Sequence, residues 1–242
     1  MRQAVLASGL KEAAIKTLEQ MGIEIITFHD NESVGCHVRK HADLSFLDCN
    51  DGTFFIAKEM SDYREVIENL GYGARILNEN LGDRYPSDVL LNCVVIGKHL
   101  ICNVDTVSSD VLQYFREKDI DIINVNQGYT KCSVIPVSDN SLITDDESIA
   151  VRCRNAGLDV LFVSKGSVRL DGFDYGFIGG TAGKLNSSQI VFNGDICTHD
   201  DGNKIVEFLS SYGVDAVLLA DGQLYDVGSI IVLNRRNLNE KE

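Results

Sequence analysis

One pattern of helix and strand occurs five times along this chain, at intervals of about 40 to 50 residues, and it strongly limits the possible folds. In each repeat an amphipathic helix leads into a short apolar strand. These strands are predicted at residues 23–26, 74–77, 121–125, 159–163 and 215–219. Repeats of this length are typical of propellers, solenoids and arrays, so we do not expect one irregular domain.

Start and stop signals support each of the five helices. A Ser, Thr or Asp side chain can cap the first backbone N–H groups of a helix, and Gly readily adopts the left-handed conformation that ends one. The sequence places such starts at Ser8, Ser61, Ser108 or Ser109, Thr144, and Thr198 or Asp200. Glycines that can end a helix follow at Gly22, Gly71, Gly157 and Gly213.

Two further strands joined by a tight turn are predicted before each helix. The first strand of each pair is expected at residues 42–47, 88–94, 132–137, 183–186 and 225–233. The last pair lacks its second strand, which residues 3–7 at the start of the chain would supply. We therefore predict one α/β domain over residues 1–242, a five-bladed β/α-propeller with a pseudo-fivefold repeat, closed by pairing of its N- and C-terminal strands. Its units are expected at about 23–71, 74–120, 121–158, 159–214, and 215–233 plus 1–22.

Composition narrows the function classes. The net charge of −14 disfavours nucleic acid as a partner, because acidic surfaces repel phosphate backbones, and the Arg235-Arg236 pair is too small to offset it. No apolar stretch is long enough for a membrane span, and the first residues do not form a signal peptide. Seven cysteines without zinc-finger spacing are typical of reduced thiols. We expect a cytoplasmic protein with no cofactor and no metal, whose partner is a small cationic or zwitterionic ligand.

This arrangement of strands, hairpins and helices resembles the pentein fold of the guanidine-modifying enzymes. That group includes arginine and agmatine deiminases, amidinotransferases, dimethylarginine hydrolases and a non-enzymatic ribosome anti-association factor. The likeness is architectural and covers essentially the whole chain. It is closest to a bacterial branch of the fold for which no activity is established. The resemblance implies a central channel toward which the first strands of the five hairpins direct their ends.

Polar residues occupy matching positions at those strand ends. They are Asp43, Asp88, Lys131 with Cys132, Lys184, and Asp226, and His41 lies close to the first of them. Three aspartates around one axis predict a site for a cation, an amine or a guanidinium group. The alternative is structural, because aspartates at strand starts often hold turns through hydrogen bonds to the backbone.

The usual catalytic pair of the pentein enzymes is missing from the matching positions. The resemblance implies a catalytic Cys in the last unit, where this chain has Ser229, and a His in the fourth unit, where it has a glycine-rich segment, 179–184. Ser229 would need a base, and none is evident in the sequence. The glycine-rich segment also lacks phosphate-loop spacing, because Leu185 stands at the hydroxyl position.

Three functions stay open on these grounds. The first is a relocated amidino-group hydrolase or transferase, with Cys132 as nucleophile and His41 as base. Against it, Lys131 would face the opposite side of a strand from Cys132, and buried cysteines are commonly inert.

The second, which we favour, is a ring that binds a small cationic ligand without the usual catalysis, through Asp43, Asp88, Lys131, Lys184 and Asp226. The third is a protein-binding scaffold. Whether the chain is an enzyme and which oligomer it forms are not determined by sequence.

Overall fold

A computed structural model describes residues 3–234, so the first two residues and the Arg235-Arg236 pair lie outside the described residues. The strands form five sheets of three strands each. Two strands of each sheet are antiparallel, and the third runs parallel to the middle one after a helical crossover. In chain order the strands are β1 (Gln3–Leu6), β2 (Glu24–Ile26), β3 (Phe46–Asp48), β4 (Thr53–Ile56), β5 (Gly73–Ile76), β6 (Val94–Ile96), β7 (His99–Cys102), β8 (Asp121–Asn124), β9 (Val134–Ser138), β10 (Ser141–Thr144), β11 (Asp159–Phe162), β12 (Ala182–Asn186), β13 (Gln189–Phe192), β14 (Asp215–Leu218) and β15 (Ile231–Asn234).

The sheets follow the predicted repeat. Their strand orders are β15-β1-β2, β3-β4-β5, β6-β7-β8, β11-β10-β9 and β12-β13-β14. In the first of these sheets, β1 pairs with β15 in antiparallel register, from Gln3 opposite Asn234 to Leu6 opposite Ile231. The two ends of the described chain therefore complete one sheet, as predicted.

Six α-helices are described, five of which are the crossovers. They are α1 (Glu12–Gln20), α2 (Ala42–Ser45), α3 (Arg64–Asn69), α4 (Ser109–Arg116), α5 (Glu147–Asn155) and α6 (Gly202–Ser211), with 3₁₀ turns at Lys58–Tyr63, Ile178–Thr181 and Ile196–Thr198. The Ser108 side chain caps α4 as predicted, by accepting from the Asp110 N–H. Asp146 rather than Thr144 caps α5, because its side chain accepts from the Ile149 N–H. The N-cap of α1 is Lys11, not Ser8.

The first strands of the hairpins begin later than predicted in four units. Residues 42–45 form the short helix α2, and β6, β9 and β15 begin at Val94, Val134 and Ile231. The segments before these strands are turns with local backbone hydrogen bonds, such as Ser133 N–H to the Tyr129 carbonyl at 3.1 Å. Strand alternation therefore does not apply to Lys131 and Cys132, which lie in one of these turns.

Apolar residues fill the space between the sheets and their helices. The largest fully buried side chains include Phe46, Phe54, Phe115 and Phe192. Edge-to-face contacts link the aromatic rings, as between Phe28 and Phe46 at 5.3 Å between ring centroids. Within residues 3–234, no helix combines the length and the apolar character that crossing a bilayer requires.

Candidate functional site

The turns that precede four of the strands bring buried polar side chains together. His41 and Asp43 come before β3, Asp88 before β6, Cys132 before β9, and Asp226 before β15. All five are buried. His41, Asp88, Cys132 and Asp226 line a cavity of about 490 Å³, and Asp43 lies behind Cys132. The structure thus assembles most of the residues that the sequence pattern singled out.

Asp43 joins the Cys132 thiol to a buried lysine through a chain of hydrogen bonds. The Cys132 Sγ donates to Asp43 Oδ2 at 3.2 Å, and the Ser229 hydroxyl donates to the same oxygen at 2.7 Å. The Lys131 ammonium donates to Ser229 Oγ at 2.9 Å. Lys131 therefore contacts the same network as Cys132, which strand geometry had not allowed us to expect. It also gives Ser229 a basic neighbour.

Asn92 fixes the turn that carries Cys132. Its Oδ1 accepts from the backbone N–H groups of Lys131 and Cys132, at 2.8 and 3.2 Å. Its Nδ2 donates to Cys132 Sγ at 3.1 Å and to the Asp43 carbonyl at 3.1 Å. The sequence analysis missed Asn92, because only its spacing from Asp88 could have placed it near the site.

Glycines let the polar segments approach one another closely. Gly228 has a φ of 73°, and a Cβ at this position would overlap the backbone and ring of His41. A Cβ on Gly180 would overlap the carboxylate of Asp226. The glycine-rich segment 179–184 therefore allows close packing against Asp226. Ser229 itself has a φ of 67°, a conformation that costs a non-glycine residue free energy.

Asp226 holds its carboxylate against His41. Asp226 Oδ1 lies 3.9 Å from His41 Nδ1 and accepts from the Gly228 N–H at 2.9 Å. Asp226 Oδ2 accepts from the Phe177 N–H at 2.9 Å. Burial raises the pKa of Asp226 above its usual value, although His41 and the two backbone amides oppose this. The carboxylate is thus aimed by backbone donors at the cavity and the imidazole.

Asp88 and a group of aromatic rings form another part of the cavity wall. The Tyr129 hydroxyl donates to Asp88 Oδ2 at 2.6 Å, and the Tyr129 ring stacks on Phe177 at a centroid distance of 5.9 Å. Asp88 Oδ1 is buried and has no hydrogen-bond partner among residues 3–234. Burial raises the pKa of Asp88. The exposed side chains of Tyr85 and Tyr175 also line the cavity.

Burial also keeps two other groups of the site uncharged or less charged. Desolvation raises the pKa of Cys132 well above its usual value, and the charges of Asp43 and Asp226 add to this effect. Desolvation lowers the pKa of Lys131, opposed by the same two carboxylates. At neutral pH and without a ligand, Cys132 is therefore a thiol rather than a thiolate.

Lys184 does not join this cluster. It lies on β12 and lines a different cavity of about 250 Å³, together with Asp139. Burial lowers the pKa of Lys184, and Asp139 opposes the shift. Lys131 also lines this second cavity, so it lies between the two. The grouping of Lys184 with the aspartates followed from sequence spacing alone.

Solved structures with the same fold belong to guanidino-modifying enzymes. A DDAH from Pseudomonas aeruginosa, complexed with citrulline, has a TM-score of 0.55 at 9% identity, covering 90% of this chain and 92% of its own. An amidinotransferase of the saxitoxin pathway from Microseira wollei has a TM-score of 0.56 at 11% identity, with 99% and 95% covered. An agmatine deiminase from C. jejuni has a TM-score of 0.53 at 9% identity, with 90% and 87% covered. At these identities the likeness establishes the pentein fold.

Sequence comparison assigns the chain to a family. Residues 5–231 match the model of DUF6873, a family of unknown function, so the chain belongs to this family. No curated protein sequence matches the chain. The chain therefore represents a divergent branch of the pentein fold, as its resemblance to that fold predicted.

Proposed function

We propose that this member of DUF6873 binds a small ligand carrying a guanidinium or ammonium group in the cavity of about 490 Å³, without the catalysis of the usual Cys-His pair. The observation that carries the proposal is Asp88 Oδ1, a buried carboxylate oxygen with no partner among the described residues. An N–H donor from a ligand would satisfy it, and leaving such an atom unpaired costs free energy.

The charge and the rings of the cavity support this ligand class. Asp88 and Asp226 both line the cavity, while Arg84, which also lines it, is already paired with Asp83 at 3.2 Å. The rings of Tyr129 and Phe177 lie between them, and aromatic faces attract cations. A ligand cation between two carboxylates would also lower their raised pKa values, so that binding and ionisation favour each other.

The relatives agree with this class of ligand. One of the solved structures with the same fold is complexed with citrulline, and another is an agmatine deiminase. In our proposal the five sheets are the blades of a propeller around one axis within a single domain, and the cavity opens at that axis. Each blade then supplies a side chain to the site, and the segment before β12 supplies the Phe177 ring together with glycine backbone.

A relocated catalytic site is the second candidate. The observation in its favour is that Cys132 and His41 line the same cavity, although they come from different units of the chain. Here Cys132 Sγ would attack the amidino carbon, the C–N bond to the leaving amine would break, and His41 would pass the thiol proton to that amine; water or an acceptor amine would then release the amidino group from the sulfur. Turnover that is lost in Cys132→Ser would establish this function.

Ligand binding to the full chain tests the first candidate. Calorimetry with agmatine, arginine and spermidine measures affinity directly, and a ligand that binds only the folded state raises the melting temperature. We expect binding that Cys132→Ser retains and that Asp88→Asn weakens. Asp139→Asn, in the other cavity, is the matched control with the same loss of charge. Equal affinity in wild type and Asp88→Asn would refute the proposal.

A further inference from the structure

Three different metal-binding side chains meet behind the cavity wall. One ring nitrogen of His41, one carboxylate oxygen of Asp43 and Cys132 Sγ all lie within 4.8 Å of one another, and all three residues are buried. Sequence spacing gave no sign of this, because His41 and Asp43 are two residues apart but both are far from Cys132 along the chain. The turns before β3 and β9 bring them together.

The donor set fits one class of ion. Nitrogen, carboxylate oxygen and thiolate sulfur are the ligands that Zn²⁺ takes in proteins, at about 2.0 to 2.3 Å from the metal. Because the ligands of a tetrahedral ion subtend about 109° at the metal, donors at these bond lengths lie about 3.3 to 3.8 Å from each other. The three donor atoms lie within 4.8 Å of one another, and Cys132 Sγ is already 3.2 Å from Asp43 Oδ2, so the side chains would close by up to about 1 Å around the ion.

We propose that His41, Asp43 and Cys132 form a zinc site at the floor of the cavity. His41 and Cys132 line the cavity, so the fourth position of a tetrahedral ion would face it and accept water or a ligand donor. Three protein ligands with one open position is the arrangement of catalytic rather than structural zinc.

A second, independent observation points to a cation here. Asp43 Oδ1 is buried and has no hydrogen-bond partner among the described residues, although Asp43 Oδ2 receives two donors. An unpaired carboxylate oxygen in the interior is costly, and a bound metal ion would supply its partner. Asp43 is 1% exposed, so water from bulk solvent does not reach it readily.

The neighbours are placed to support the ion. Asn92 Nδ2 donates to the Cys132 sulfur, a contact that a thiolate accepts more strongly than a thiol. Asp226 lies beside the His41 Nδ1, and a carboxylate at this place orients a metal-bound imidazole. The Ser229 hydroxyl stands between the Lys131 ammonium and Asp43, so the lysine does not occupy the metal position.

Binding changes one covalent bond of the protein. The thiol proton that Cys132 now donates to Asp43 Oδ2 is released to solvent, and the sulfur electron pair forms the bond to Zn²⁺. The thiolate and the carboxylate then balance the two charges of the ion. No oxidant or reductant takes part. The site does not depend on the organic ligand, because Asp88, which carries that proposal, is not one of the three donors.

The test uses the full chain, reduced and stripped of metal with a chelator. Calorimetry with ZnCl₂ should give one ion per chain, and Co²⁺ should give a thiolate-to-cobalt charge-transfer absorption band. Cys132→Ser, His41→Gln and Asp43→Asn should each lose both signals. Cys36→Ser and Cys197→Ser are the matched controls, because these thiols are exposed and should leave both signals unchanged.

Several results would overturn the zinc site. They are the absence of zinc binding by wild type, binding that survives in Cys132→Ser, or binding that depends on Cys36 or Cys197. If Cys132→Ser fails to fold, His41→Gln and the wild-type cobalt spectrum still decide the question. Asp88→Asn should keep zinc while losing the organic cation, so the failure of one proposal is distinguishable from failure of the other.

Discussion

The stability of this protein should fall between acidic and neutral pH because of one buried carboxyl group, Asp145. Its side chain is 1% exposed and accepts one hydrogen bond, from the Ile178 N–H at 2.9 Å, while Oδ1 has no partner within residues 3–234. Desolvation raises the pKa of Asp145 from 3.8 to about 7, opposed by Ile178 and by the charge of Lys165. Asp145 is therefore a neutral acid in the folded protein at pH 5.

The sign and size of the effect follow from proton linkage. Between pH 3.8 and 7 the folded state holds a proton that the unfolded state has lost, so the free energy of unfolding decreases as the pH rises. Stability is fully present below the unfolded pKa and is lost as the pH rises to the folded pKa. One pKa unit corresponds to about 1.4 kcal/mol, so the whole interval corresponds to an effect on the order of 4 kcal/mol.

Urea unfolding at pH 5, 6, 7 and 8 measures this loss. In Asp145→Asn the group does not titrate, so the free energy of unfolding of the variant minus that of wild type should increase by about 1.4 kcal/mol per pH unit between 5 and 7. Asp221→Asn, an exposed position with the same charge change, should show no such slope. A pH-independent difference for Asp145→Asn, or a slope of opposite sign, would show that Asp145 is ionised in the folded protein.

Three further outcomes test the core, the site backbone and the thiols. Phe46→Ala removes a ring that is 1% exposed and should lower the free energy of unfolding by about 3 to 5 kcal/mol in denaturant titrations; a loss below 1 kcal/mol would contradict this packing. Gly228→Ala should destabilise the fold by more than about 1 kcal/mol, because its φ of 73° is unfavourable for Ala and the new Cβ would overlap His41. Gly222→Ala is the control: its φ is 88° and the space around it is open, so this variant measures the cost of the backbone conformation alone. Iodoacetamide at neutral pH should modify exposed Cys36 first and Cys132 slowly, because burial raises the pKa of Cys132. Peptide mass spectrometry measures both rates, and rapid labelling of Cys132 would instead indicate a reactive nucleophile.

The sequence was sufficient for the repeat but not for the site. The helix-to-strand step of each unit is local, and all five parallel strands lie within a residue or two of the predicted positions, as with residues 159–163 and β11 at Asp159–Phe162. The turn around Lys131 and Cys132 was predicted as strand, because Cys132-Ser133-Val134-Ile135 continues an apolar run. The strand begins later because Asn92, 40 residues away from Cys132, binds the backbone N–H groups of Lys131 and Cys132. Such a contact leaves no periodic signal.

Ser229 is a second residue whose surroundings could not be predicted from the sequence. In sequence it lacks a basic neighbour, yet the Lys131 ammonium lies 2.9 Å from its hydroxyl, across 98 residues of chain. The repeat explains how this arises. Equivalent segments precede the first strands of the sheets, and they converge, so chemistry that one unit lacks can be supplied by another. His41 and Cys132 come from different units, and neither stands at the positions that the resemblance to the pentein enzymes implied for the catalytic pair.

Because equivalent segments converge, the buried polar side chains of the site can form hydrogen bonds with one another's segments. Each of Asp43, Asp226 and Cys132 is bound by groups from other segments: Asp43 by Ser229, Asp226 by the Phe177 N–H, and Cys132 by Asn92. Buried polar atoms with partners cost little, whereas Asp88 Oδ1 at the cavity wall and Asp43 Oδ1 behind Cys132 have no partner among residues 3–234. In our proposals an organic cation at Asp88 and a zinc ion at Asp43 supply the missing partners. The zinc experiment tests whether a metal ion binds Asp43 Oδ1, and the organic-cation experiment tests whether a ligand donor binds Asp88 Oδ1.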